Sequence, residues 1–265
     1  MRTIQASLGG LSLVVVLLAA PACRSSAPAA PAAPAAEPAT LSSAPAASSP
    51  SLKIRMWGHA AHGAAACEAV ARADLDAARA EARTLAELRL ETGVAPALRK
   101  DLDAMNAAAE RVAKATDLTE ASRSLAALAS TCGDCHATLG GPATVVGEPP
   151  DDDLGVLPRM KRHEWAVARL WAGLVGPSDL SWKAGARVLA DAPLEPEQLT
   201  PGRSPAPAIG QLATSVHDLA ANARVTKSAV DRTAVFAELM TTCAACHQRL
   251  GGGPSGPSRP PGAAP

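Results

Sequence analysis

Cys132-Gly133-Asp134-Cys135-His136 and Cys243-Ala244-Ala245-Cys246-His247 are two copies of one pattern, C-x-x-C-H, carried by a single chain. The spacing has its own chemistry. Two thiols three residues apart lie on one turn of a helix, where each can add to one vinyl group of the same porphyrin. The histidine that follows then falls beneath the iron and donates a ring nitrogen as the fifth ligand. Two other chemistries use such cysteine pairs. A thioredoxin-like redox dithiol follows a strand in a βαβ unit, and no strand-like run lies near either copy. A zinc site pooling both pairs would leave two histidines and a haem-sized core without a role. The pattern therefore implies two covalently attached haem c groups, with Cys132, Cys135, Cys243 and Cys246 as attachment points and His136 and His247 as iron ligands.

The remaining cysteines fit that chemistry. Of six in the chain, four belong to the pentads, and Cys23 closes an export-type segment at residues 1–23. That segment has Arg2, the apolar run Leu11–Ala20, and then Ala20-Pro21-Ala22-Cys23. It reads as a lipoprotein-type signal with Cys23 as the lipidated residue, although Ala20 stands where leucine is usual; plain secretion is the alternative. The apolar run is too short to span a membrane as a helix with soluble flanks. The expected location is the periplasm, with a lipid anchor in the outer membrane. Cys67, alone in a helical stretch, is expected to be a small buried apolar residue.

Residues 24–51, almost entirely Ala, Pro and Ser, are expected to form a semi-extended tether, and the Gly/Pro-rich residues 251–265 a disordered tail. Formal charge is balanced at 25 basic and 25 acidic residues, and aromatic residues make up only 2%. With no basic stripe and no aromatic platform for bases, a nucleic-acid partner is not expected. Alanine-rich helices with four Trp, one Phe and no Tyr bury modest area per residue, a deficit that a large flat apolar group would offset.

Two blocks are left to fold, residues 52–140 and 154–250, joined by a linker at 141–153 that holds Pro142, Pro149, Pro150 and three aspartates. The first block predicts helices over Leu52–Arg72, Asp74–Leu90, Ala95–Ala115 and Asp117–Leu139. Asp74 and Asp117 are placed as N-caps, and Asp117 with Glu120 makes a capping-box-like pair. The second block predicts helices over Leu154–Val175, Ser178–Ala190, Ala206–Thr226 and Ser228–Leu250, capped by Ser178 and Ser228, with a loop from Asp191 to Pro205. The blocks repeat in detail. Arg55-Met56-x-x-His59 matches Arg159-Met160-x-x-His163, and Ala82-Arg83-Thr84-Leu85 matches Ala186-Arg187-Val188-Leu189.

A four-helix block with C-x-x-C-H near the end of its last helix resembles the class II cytochromes c, the cytochrome c-prime family, and the resemblance covers both blocks. It implies an all-α fold: two tandem antiparallel four-helix bundles, each with its haem site at the end of its fourth helix. In that family the first helix supplies the residue on the far side of the iron, a methionine in low-spin members and an apolar group in five-coordinate ones. By position this implies Met56 and Met160. The chain departs from the pattern by placing a histidine three residues later in both halves.

Residues i and i+3 share a helical face about 60° apart, so Met56 with His59, and Met160 with His163, could all face an iron. Imidazole is the stronger ligand for ferric haem, and the repeated position favours His59 and His163 as distal ligands, with Met56 and Met160 as the alternative and an open site as the third case. His62 and His217 have no histidine counterpart and read as surface or packing residues. Arg55 and Arg159 either pair with haem propionates or sit exposed at a helix start. Trp57, Trp165, Trp171 and Trp182 are expected to pack around the haems. No acid–base pair repeats beyond the ligands, so the expected function is electron transfer with periplasmic or respiratory-chain redox partners rather than enzymatic catalysis. The alternative is a haem protein with an open iron that binds a small gas or reduces peroxide.

Overall fold

A computed structural model describes residues 50–88, 96–141, 146–153, 155–191, 194–199 and 206–251. The signal segment, Cys23, the tether and the tail lie outside the described residues. Among those described there are nine helices and no strand: α1 Pro50–Ala71, α2 Leu75–Glu87, α3 Pro96–Lys114, α4 Leu118–Leu139, α5 Val156–Val175, α6 Asp179–Asp191, α7 Pro196–Leu199, α8 Pro207–Val225 and α9 Ala229–Leu250. None of the described helices is long and apolar enough to cross a membrane.

Four of the long helices, α2, α4, α6 and α9, begin at a residue whose side chain caps them. Asp74 accepts a hydrogen bond from the Ala77 N–H at 2.9 Å, Asp117 from the Glu120 N–H at 2.8 Å, and Ser228 from the Asp231 N–H at 3.0 Å. Each satisfies one of the N–H groups that a helix start leaves without an intrahelical partner. Glu120 departs from a simple capping box: its carboxylate accepts from the backbone N–H and the hydroxyl of Thr116, one residue further back than Asp117. Both pentad helices stop at a glycine in the left-handed region, Gly140 at φ 68° and Gly251 at φ 87°. Each of these glycines donates its N–H to the carbonyl of the pentad histidine, a closure that glycine adopts without strain. The linker residues 146–153 are not helical, and Arg162 ties them down by donating to the Pro150 carbonyl at 2.5 Å. The short α7 falls in the stretch expected to be loop.

Neighbours in sequence are neighbours in space: α1, α2, α3 and α4 pack in succession, as do α5, α6, α8 and α9. Polar ties join the pairs. His62 on α1 meets Glu81 on α2 at 2.7 Å, Arg79 on α2 donates to the Ala115 carbonyl after α3 at 2.8 Å, and Trp182 Nε1–H on α6 donates to the Ala223 carbonyl on α8 at 2.8 Å. Helices α5 and α6 approach closely enough to require glycine. A Cβ on Gly173 would lie 2.7 Å from the Trp182 backbone nitrogen, and one on Gly185 would lie 2.5 Å from the Ala166 carbonyl oxygen.

Within each set of four, the first and last helices touch little; the extensive remaining contact is α4 against α9, with α5 also lying on α4 and α1 on α9. The described helices belong to one compact unit. Its core is built mainly from alanine and leucine, with Trp182 and Phe236 as the largest fully buried side chains. Small side chains allow helices to come close, but each contributes little area, whereas burying a Leu or Phe contributes about 1.5–3 kcal/mol.

Candidate functional site

The second pentad opens onto a cavity of about 380 Å³, within the roughly 300–1,000 Å³ range of sites that enclose a small molecule or cofactor. Helix α9 contributes Cys243, Cys246 and His247 to its wall, and α5 contributes Met160 and His163. These are the residues that the pattern and the repeat nominate for the second half, separated in sequence by some eighty residues and gathered around one space. The wall is otherwise mostly small and aliphatic, with Val167, Ala168 and the ring of Trp171, and it also carries the charged Glu68, Arg72 and Glu164. Helix α1, from the first half of the chain, closes the same cavity with Ala61, Ala64, Ala65, Cys67 and Glu68.

The ring of His247 is held from behind. Its Nδ1–H donates to the carbonyl of Ala71, the last residue of α1, which leaves Nε2 as the nitrogen carrying the lone pair. A metal-binding histidine is normally oriented this way, one ring nitrogen donating to a carbonyl or carboxylate and the other facing the metal. Burial lowers the pKa of His247, partly countered by the bond to Ala71, which favours the neutral ring, the form that binds a metal. His136 repeats the arrangement: its Nδ1–H donates to the carbonyl of Val175, the last residue of α5, at 2.7 Å.

His59 is the other histidine prepared in this way. Only 6% exposed, it donates Nδ1–H to the Arg55 carbonyl one turn earlier at 2.9 Å, and its Nε2 is buried with no hydrogen-bond partner. Leaving such an atom unpaired costs about 1–3 kcal/mol, and a metal bond would satisfy it. Met56 is half-buried on the same helix. His163 is half-buried and edge-on to His217, ring centroids 5.8 Å apart. The cavity gathers the second set of residues; the first set is given as separate parts on α1 and α4, both tied to α5. The link for α4 includes Gly133, where a Cβ would stand 2.3 Å from the Leu174 carbonyl oxygen.

The thiols of both pentads are held in the neutral form by burial. Burial pushes Cys132 and Cys243 up to about 12, and it raises Cys135 and Cys246 as well. None of the described cysteines is in a disulfide. Among the described residues no three His, Cys, Asp or Glu side chains converge as a single-ion cluster, which a pooled zinc site would need; a porphyrin iron needs only one protein atom on each face.

The other sequence readings divide. Cys67 is buried, and burial drives its thiol strongly upward. His62 is a helix–helix tie. His217 is a packing residue, donating Nδ1–H to the Leu189 carbonyl and accepting from the Leu194 N–H. Of the four tryptophans expected around the haems, Trp171 lines the cavity and Trp182 is wholly buried. Trp165 is half-buried under Arg169, whose guanidinium lies 5.7 Å from its ring centroid. Trp57 corrects the expectation: it is 79% exposed. The buried stripe of α1 runs through His59, Gly63, Ala66 and Val70, and position 57 lies about 200° from His59 around the helix, on the opposite face. Sequence reading missed the acceptors behind the pentad histidines, because a backbone carbonyl leaves no mark in composition. No protein-family model, curated protein or solved structure matches this chain.

Proposed function

We propose that the chain is a dihaem c-type cytochrome that transfers electrons, built from two tandem four-helix blocks of the kind found in class II cytochromes c. The observation that supports this best is the cavity at the second pentad, where Cys243, Cys246 and His247 share one space with Met160 and His163. Bound haem supplies one-electron exchange between ferric and ferrous iron. The chain's own work is to hold it. Cys132 and Cys135, and Cys243 and Cys246, are the covalent attachment points. His136 and His247 present Nε2 from rings locked by backbone carbonyls. His59, with its unpartnered buried Nε2, and His163 are the distal ligands, with Met56 and Met160 as the alternative pair. The alanine-rich walls supply apolar surface against which the porphyrin would pack.

In this reading the protein works in the periplasm, tethered through a lipid on Cys23, and exchanges electrons with redox proteins there or in the respiratory chain. The test is expression with the haem-attachment machinery followed by a pyridine haemochrome assay. Two thioether-linked haems per chain are expected; a colourless protein that binds zinc or cycles a dithiol would overturn the proposal. The second reading, an open iron that binds gas or reduces peroxide, is separated by carbon monoxide: rapid binding to the ferrous protein favours it.

A further inference from the structure

The two backbone acceptors behind the pentad histidines are counterparts of each other. Ala71 and Val175 stand 104 residues apart, the same separation as Met56 from Met160 and His59 from His163. Ala71 ends the first helix of the first half yet serves His247 of the second; Val175 ends the first helix of the second half yet serves His136 of the first. The last carbonyls of a helix lack intrahelical donors and carry the negative end of its dipole, so each is a strong acceptor available for this use. The packing of α4 on α5 agrees, being more extensive than that of α5 on α9, the last helix of its own half, while α1 lies on α9 about as much as on α4.

The wall of the second site is crossed in the same way. Helix α1 lends Ala61, Ala65 and Cys67 to the cavity of the second pentad. At the counterpart positions α5 carries Trp165, Arg169 and Trp171. Trp171 reaches α1, its ring 3.2 Å from where a Cβ on Gly63 would stand.

We propose that each half's first helix completes the other half's haem site, the carbonyl that ends α1 positioning His247 and the carbonyl that ends α5 positioning His136, with α1 also lending small residues to the wall of the second site. Neither site is then whole within its own half. The histidines remain the ligands; Ala71 and Val175 are positioning residues. The assignment of these sites to haem rests on the function proposed above.

The test is Ala61→Trp, which gives α1 the side chain that α5 carries at position 165. Ala61 is exposed on its helix, so the fold tolerates the change. In the holoprotein, haem occupancy is read by mass on the proteolytic peptides holding Cys132–His136 and Cys243–His247, and the low-spin EPR signals are followed alongside. The expected result is a change confined to the second pentad, as lower occupancy or a shifted EPR signal, although the substitution lies in the first half. A change confined to the first pentad, or none at the second, overturns the proposal. A chain with no haem on either peptide would sink the function proposed above but not the crossing, which NMR of histidine-labelled haem-free protein then decides. Protons retained on Nδ1 of His136 and His247, with cross-peaks to the ends of α5 and α1 respectively, support it. Their absence refutes it.

Discussion

Replacing Gly133 by alanine preserves the C-x-x-C-H spacing and, on helix propensity alone, adds about 1 kcal/mol of stability. Packing reverses the sign. A Cβ at position 133 stands 2.3 Å from the Leu174 carbonyl oxygen on α5, whereas carbon and oxygen in contact settle at about 3.3–3.6 Å. The overlap of roughly 1 Å falls on backbone, which no rotamer change relieves, so α4 and α5 must move apart. Overpacking of this kind costs about 1–3 kcal/mol. Separation also stretches the bond from His136 to the Val175 carbonyl, now 2.7 Å, a further loss of about 1 kcal/mol. After the propensity gain, the net destabilisation is about 1–3 kcal/mol, or a Tm lower by roughly 2–10 °C for a folded unit of this size. Urea and thermal unfolding of the holoprotein, followed by circular dichroism, measure it. A variant as stable as the parent or more so, with an unchanged spectrum at the first pentad, would refute the close approach of α4 to α5.

His59→Leu removes the buried unpartnered Nε2 and keeps an apolar side chain in its place; one of the two low-spin EPR signals is expected to become high-spin, and the ferrous protein to bind about one carbon monoxide per chain. Trp182→Phe leaves the Ala223 carbonyl without its 2.8 Å donor and opens a void at a fully buried position, for a loss of about 2–4 kcal/mol in chemical denaturation. Asp179 is held below the usual carboxylate range by its hydrogen bond from Arg232 and then by that guanidinium's charge. Its contribution to stability is therefore complete above the ordinary carboxylate pKa and is lost as pH falls through the lower folded value. Because Asp179 is largely exposed, that contribution is under about 1 kcal/mol, and Asp179→Asn is expected to flatten the acid limb of the stability–pH curve while leaving buried Arg232 over Trp182.

Much of the helix plan was legible because its punctuation is local. Asp74, Asp117, Ser178 and Ser228 mark starts through side chains that cap within three residues, and Gly140 and Gly251 mark ends by admitting the left-handed turn. The repeat also placed Met160 and His163 on the right helix for the cavity. The exposure of Trp57 was misread from its residue type, although its counterpart in the repeat is the charged Lys161. Long-range backbone acceptance was not legible. His247 and Ala71 are 176 residues apart in sequence, and any residue type at position 71 would offer the same carbonyl. The packing of α4 on α9 was hidden for a related reason: alanine-rich faces are apolar on several sides, so periodicity does not say which partner each will take.

The central claim is that both pentads carry haem irons with a protein ligand on each face. The most direct test is low-temperature EPR with near-infrared magnetic circular dichroism on the oxidised holoprotein. Two distinct low-spin bis-imidazole species are predicted, assigning His59 and His163 as the distal ligands. A high-spin signal from either haem would contradict the account and shift the function toward an iron open to gas or peroxide.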